Sequence, residues 1–243
     1  MKFRLLLFSW LGALLFLAGV FVGLTLSGAV AWGESEARIY SSFNGDSNLA
    51  IKCPMIISPA ETGTISAEIV NLTGEDVKPV VTVEISHGKV PREIKQTFPL
   101  KSLQSGSVQW IVDSSDVIFE RVILVNALQS RYSHNPSRSG SCGILVFNLF
   151  GLTGVQTFGL LLGFSLILML AGGGLWLHVR RPLDKFSGSL VQINTVLLAV
   201  TILALLSTLA RWWGLALFFD ALILLVMGVI ITEFVLFSQK YRE

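Results

Sequence analysis

The sequence predicts an α+β membrane protein: four transmembrane helices with an extracytoplasmic β-sandwich inserted between helices 1 and 2. Three observations predict it. Leu5–Ala31, Val155–Leu177, Leu190–Ala210 and Gly214–Phe237 are apolar runs, each close to or above the ~20 residues that a spanning helix needs. The stretch between the first two runs has ordinary soluble composition and reads as short alternating strands. The basic residues of the short loops all fall where one alternating path across a bilayer puts the cytoplasm. The predicted division is residues 1–31 for the first helix, 32–154 for the external domain and 155–243 for a three-helix membrane domain.

The chain is 52% hydrophobic and 14% charged, well under the roughly one quarter charged residues of a soluble domain. Trp32–Phe147 holds ten Lys/Arg and twelve Asp/Glu. The net charge of +2 therefore reports the loops beside the helices, not a basic surface, and nothing here suits nucleic acid. Lys2 and Arg4 precede the first run, Arg180, Arg181 and Lys185 follow the second, and Lys240 and Arg242 follow the fourth. Lys and Arg of short loops stay on the cytoplasmic side. All three clusters are then cytoplasmic, both termini are inside, and the polar block lies outside a cell membrane that the chain crosses several times. Arg211 is the exception, and Trp212 and Trp213 beside it suit an interfacial belt.

The first run carries two readings. A basic start, an apolar stretch and Ala29-Val30-Ala31 resemble a signal peptide with its cleavage site, but about 27 apolar residues exceed the usual h-region of about 7–15. An uncleaved anchor follows from that length, and the external domain is the same in either case. Cys53 and Cys142 both lie in the external block, and no other cysteine occurs. In an oxidising compartment such a pair suggests a disulfide, closing a loop of about 90 residues and contributing on the order of 4–5 kcal/mol in the chain-entropy model. Two buried free thiols are the alternative reading, and two cysteines do not make a four-ligand zinc site.

Within the block, Asn48–Cys53 reads as a strand stopped by Pro54. Gly63–Asn71 alternates with Ile65, Ala67 and Ile69 on one face, and Val77–Ser86 with Val81, Val83 and Ile85 on one face. Glu93–Leu100, Val108–Val112, Arg121–Leu128 and Cys142–Leu149 complete about seven strands, separated by Gly-containing turns. Short strands at spacings of about 8–15 residues argue a β-sandwich. Ile65–Glu84 with its Asn-x-Thr-Gly turn, and Pro99-Leu100 followed by Ser105-Gly106-Ser107-Val108-Gln109-Trp110, resemble bacterial immunoglobulin-like modules. The resemblance covers about 60 residues of the chain and implies a fold, not an activity. The antibody pattern of cysteines on the second and sixth strands is absent: here they fall on the first and last strands, where a bridge would clamp both ends of the domain.

Candidate functional residues are few. Ser130–Ser141 is a polar loop carrying Arg131, Tyr132, His134 and Arg138, a set suited to an acidic partner or a headgroup, since binding residues concentrate on loops; a solvated connector explains it as simply. His87 before Gly88 reads as a turn residue. Asn71-Leu72-Thr73 fits a glycosylation sequon, though a turn accounts for it. Asp220 and Glu233 are carboxylates within the fourth helix, functional candidates by default, with Arg211 a plausible partner for Asp220. The small-residue series Gly19, Gly23, Ser27 and Gly159, Gly163 suggest close packing of helices 1 and 2. No catalytic set can be assembled, and no metal or cofactor site emerges. The expected function is a non-enzymatic component of a cell-envelope assembly, held by membrane lipid and contacting an extracytoplasmic or membrane protein through the sandwich. The alternatives are a solute-sensing receptor reading its ligand with Ser130–Ser141, and a small transporter subunit or membrane enzyme using Asp220 and Glu233.

Overall fold

The computed structural model describes residues 2–131, 135–180 and 187–240. They form two compact units, one of Met1–Ala31 with Gly159–Glu243 and the other of Trp32–Phe158.

The first unit is helical. Its segments come from α1 (Lys2–Tyr40), α2 (Gly154–Arg180), α3 (Ser187–Leu209) and α4 (Trp213–Lys240). Phe16, Val20, Met169, Leu197, Val200, Ala204 and Ile223 form its interior, while Leu14, Phe21, Ile167, Leu170 and Leu225 stand exposed. Among the described residues two helices are long and apolar enough to cross a membrane: Trp10–Tyr40, with a mean hydropathy of 2.2, and Gly154–Trp176, with 2.1. Among the described residues the apolar stretches of the other two, Asn194–Leu209 and Trp213–Val229, are shorter. The sequence led us to expect four such helices.

The second unit is built from β1 (Ser47–Asn48), β2 (Ile51–Lys52), β3 (Ile56–Ile57), β4 (Gly63–Val70), β5 (Val80–Ile85), β6 (Arg92–Thr97), β7 (Ser105–Val112), β8 (Val122–Gln129) and β9 (Arg138–Val146). One sheet runs β1-β9-β8-β5-β6, with β3 added along β9; the other runs β2-β4-β7. The inward residues of both sheets share one core, with Ile65, Ala67, Ile69, Val81, Val83, Ile85, Val112, Ile123, Val125, Ala127 and Ile144 all fully buried. Period-2 alternation makes this core directly, because successive strand side chains point to opposite faces. Cys53 and Cys142 form a disulfide with a Cα–Cα distance of 6.5 Å, spanning 89 positions. Cys53 lies between β2, in one sheet, and β3, in the other, while Cys142 is in β9.

Three expectations are corrected. The first strand is not one strand: the chain pairs with Arg138 and Ser139 as β1, crosses to pair with β4 as β2, and returns to pair with Leu145 and Val146 as β3. Pro54 lacks the N–H that an unbroken ladder needs, and the return to the first sheet as β3 follows it. The first helix does not stop at Ala31. Trp32–Tyr40 remains helical, since Glu34, Ala37 and Arg38 are good helix formers and Ala37 is buried with Val122 and Leu124. Finally, Arg138–Ser141, read as loop, is the start of β9, paired with Gln129–Asn126 of β8.

The helical extension explains the burial of β8. Ile123, Val125 and Ala127 face the sandwich core, and Val122, Leu124 and Asn126 face α1. Asn126, with its amide nitrogen turned to the carbonyls, donates to Ala37 O at 3.0 Å. Contact is close because Gly33 meets Gly143: a Cβ on Gly143 would overlap the Gly33 carbonyl and lie 2.9 Å from Glu34 N.

Candidate functional site

Polar residues gather at three places. The first is in the helical unit. Asp220 of α4 is 6% exposed. Ser27 Oγ of α1 donates to Asp220 Oδ2 at 3.1 Å and also meets Thr208 Oγ1 of α3 at 2.9 Å. Thr208 Oγ1 in turn lies 2.9 Å from Ala204 O. Three helices are thus joined through the Ser27 hydroxyl, and the second oxygen of Asp220, Oδ1, is buried with no hydrogen-bond partner. This corrects the expected pairing: Asp220 is held by Ser27, and Arg211 occupies the turn between α3 and α4 with φ of 58°, its N–H bonded to Thr208 O at 3.0 Å. Glu233 is in α4, and its side chain lies outside the described residues. At 1.5 Å of rise per residue position 233 is about 20 Å along the helix from Asp220.

The second place is one corner of the sandwich. Asp46 Oδ2 accepts from Arg131 at 3.0 Å, from Ser137 N at 3.1 Å and from Ser137 Oγ at 2.9 Å. The Ser137 hydroxyl, then the Arg131 guanidinium, hold the Asp46 carboxyl below its ordinary value. Asp46 therefore fixes both flanks of the predicted binding loop. Arg131 is 70% exposed along its side chain and sits in the loop. Arg138 is half-buried on β9. Tyr132 and His134 lie outside the described residues. The structure accordingly brings Arg131 to Asp46 and places Arg138 on β9, paired with Ser47 of β1.

The third place was not among the sites expected from the sequence. Asp116, 1% exposed, accepts from Arg92 at 2.9 Å and from Asp113 N at 3.2 Å, and lies 3.2 Å from His87 Nδ1. Ser86 Oγ donates to Asp116 O at 2.7 Å. Asp113 and Asp116 cap a short 3-10 turn at Ser114–Asp116 reciprocally, and the Ser115 hydroxyl and amide lower the Asp113 carboxyl below its ordinary value. His87 is thus a turn residue as expected, but one that ties the β5–β6 hairpin to the segment after β7. The signal available was the Asp-Ser-Ser-Asp spacing, which matches a capping box. Cys53 and Cys142 have the structural role expected of them, as a bridge. Asn71 of the sequon is fully buried. Its Nδ2 donates to Glu75 O at 2.8 Å and Lys101 O at 2.9 Å, so the residue is a turn anchor and its nitrogen is committed.

No protein-family profile and no curated protein matches the chain. Among solved structures, a CARDB domain from Pyrococcus furiosus is similar over 44% of this chain and 95% of its own, at 16% identity and a TM-score of 0.34. A cycloisomaltooligosaccharide glucanotransferase from Paenibacillus sp. is similar over 44% of this chain and 15% of its own, at 19% identity and a TM-score of 0.36. A β-glucosidase from Listeria innocua is similar over 45% of this chain and 17% of its own, at 13% identity and a TM-score of 0.31. The chain thus spans a small fraction of the two enzymes. At these scores the description of the sandwich rests on its strand pairing alone.

Proposed function

We propose that the chain is a non-enzymatic, multi-pass component of a cell-envelope assembly. Its four helices cross the membrane, and its immunoglobulin-like sandwich is an extracytoplasmic interaction module with a protein partner. The observation that carries the reading is a disulfide-closed sandwich set in the chain between two helices with the length and apolarity of membrane spans. Disulfides persist in oxidising compartments. Helices that are apolar on their buried and exposed faces alike suit lipid rather than water. The basic clusters agree with cytoplasmic termini and an external residue 32–154 block. Chemical crosslinking in intact membranes, followed by mild detergent extraction and identification of co-purifying proteins, tests the proposal. Recovery as an isolated monomer under every mild condition would refute it.

One observation favours a second reading, a small transporter subunit: the partnerless buried Oδ1 of Asp220, since intramembrane carboxylates commonly mark ion paths. Asp220→Asn separates the two. It should leave co-purification intact under the first reading and abolish transport activity under the second.

A further inference from the structure

We propose that the sandwich dips an aromatic collar into the lipid headgroup region, so that the domain touches the bilayer with its own surface as well as through its helices. The proposal rests on the membrane-spanning reading of α2. Four aromatic residues carry it. Phe119 is 72% exposed, Phe150 93%, Phe147 49% and Trp32 41%.

Hydrogen bonds and register place them at one end of the domain. Phe119 is in the turn before β8, a turn closed by Ile118 N donating to Val122 O at 2.8 Å. The same turn is bonded to the last residue of β9, through Val146 N donating to Arg121 O at 2.8 Å. Phe147 is the next residue, and its N–H donates to Ile57 O at 3.0 Å. Trp32 adjoins Gly33, whose Cα faces Leu145, so it sits at the level of that same end of β9. Phe150 follows three residues after Phe147 and only four before α2 begins at Gly154. The opposite end of the sandwich carries Leu72 and Leu103, beside the pairing of Val70 with Ser105.

Phe119 and Phe150 both hold φ of 52°, and Leu103 at the opposite end holds 55°, so the place beside the start of α2, not the backbone conformation, singles out the two rings. In both, the ring is left in solvent although a packed core lies a few residues away along the chain. Gly151 beside Phe150 has φ of 74°, which lets the chain turn sharply without a Cβ clash. Aromatic rings at the water–lipid boundary form belts around membrane proteins, and apolar groups at the headgroup boundary bury a few ångströms deep. Covalent continuity selects lipid as the occupant. If α2 enters the bilayer near Val155, Phe150 is within about 18 Å of that entry even on a fully extended chain. Glu120, exposed and next to Phe119 in the same turn, remains in the headgroup water.

The test uses the full chain in lipid nanodiscs. An environment-sensitive fluorophore is attached in separate variants at Phe119→Cys, Phe150→Cys, Leu72→Cys, Leu103→Cys and Ile167→Cys, and lipids carrying a shallow doxyl quencher are added. Emission at positions 119 and 150 is expected to fall by at least half, with positions 72 and 103 unchanged. Quenching at 167 but not at 119 and 150 would overturn the collar and leave the membrane-spanning reading of α2 standing. A deep-chain doxyl lipid is used for position 167, about 18 Å along α2 from Val155, and no quenching there would sink that reading itself. A second measurement needs no substitution: a photoactivatable headgroup lipid should label the peptides containing Phe119 and Phe150. Labelling absent there, or crosslinks from them to a protein instead, would likewise overturn the proposal.

Discussion

Adding one methyl group at Gly143 should pry α1 off the sheet. The Cβ of Gly143→Ala would overlap the carbonyl of Gly33 and stand 2.9 Å from Glu34 N. Both are backbone atoms of one helix, so no side chain can swing aside and the helix must move. Overpacking of this kind costs about 1–3 kcal/mol. A helix that moves also loosens the contact of Ala37 with Val122 and Leu124, worth about 0.8 kcal/mol per methyl group returned to water. The Asn126 bond to Ala37 O is worth about 1 kcal/mol more. The sum is about 3–5 kcal/mol, confined to the helical extension and the outer face of β8. Hydrogen exchange of the full chain in nanodiscs reads it directly: amides of Glu34–Tyr40 should exchange at least about a hundredfold faster, which corresponds to the lower end of that range, roughly 2.7 kcal/mol of local opening. Gly74→Ala is the control, since nothing lies within 4 Å of a Cβ there. Protection of Glu34–Tyr40 unchanged in Gly143→Ala would refute the claim that backbone contact between helix and strand sets this packing.

Three further outcomes follow from the external domain. Replacing Cys53 and Cys142 together by Ala should lower the domain's stability by about 4–5 kcal/mol, the loop-closure entropy of so long a loop, read as a lower midpoint in urea; an unchanged midpoint would show that the bridge constrains nothing. The Asp46 carboxyl titrates below its ordinary value because of Ser137 and Arg131, so its contribution is fully present above the unfolded value of about 3.9 and is lost as pH falls through the folded value. Acid titration should therefore shift the Ser137 amide resonance at a pH below that of a free aspartate, and Asp46→Asn should remove the transition. Asn71→Ala leaves Glu75 O and Lys101 O without their donor and should cost about 2 kcal/mol; in a glycosylating host the wild-type chain should show no mass shift on glycosidase treatment.

The strands were legible where one face alone is buried. Ile65, Ala67 and Ile69, and Val81, Val83 and Ile85, alternate in the sequence and are all fully buried. Legibility failed where something other than period 2 decides. Val122–Ala127 is apolar at nearly every position, and a continuous run says only that both faces are covered. What covers the outer face is Trp32–Tyr40, whose Glu34, Glu36 and Arg38 make it look like the start of a polar domain. Β-strand pairing of Ile56 and Ile57 was hidden by Pro54, because a proline marks the end of a ladder and is silent about where the chain rejoins one. At the polar sites, Asp46 is one aspartate among many in the sequence; only the pairing of β1 with the start of β9 brings it to Ser137 and Arg131, across some 90 residues of chain.

The helices show the same division between what a residue permits and what geometry selects. Glycines announced that backbones could approach, and on α1 this is realised: Gly12, Gly19 and Gly23, at helical spacing, face the other helices, with an added Cβ on Gly19 lying 2.8 Å from Ser165 O. On α2 the announced pair is not used. Nothing lies within 4 Å of a Cβ on Gly159 or Gly163. The contact is made by Ser165, Met169 and Gly172, with Ser165 Oγ donating to Gly19 O at 2.8 Å. Gly163 precedes Ser165 by two residues, or about 200° around the helix, so both cannot face α1. Ser27 continues the α1 series, and its spacing alone makes it a small packing residue. Its hydroxyl is what matters, because the same lack of bulk that lets α1 approach lets Ser27 reach Thr208 and Asp220 together. A small-residue series thus identifies a helix able to pack closely, and the phase of its partner decides whether that closeness becomes a contact, a hydrogen bond or open space.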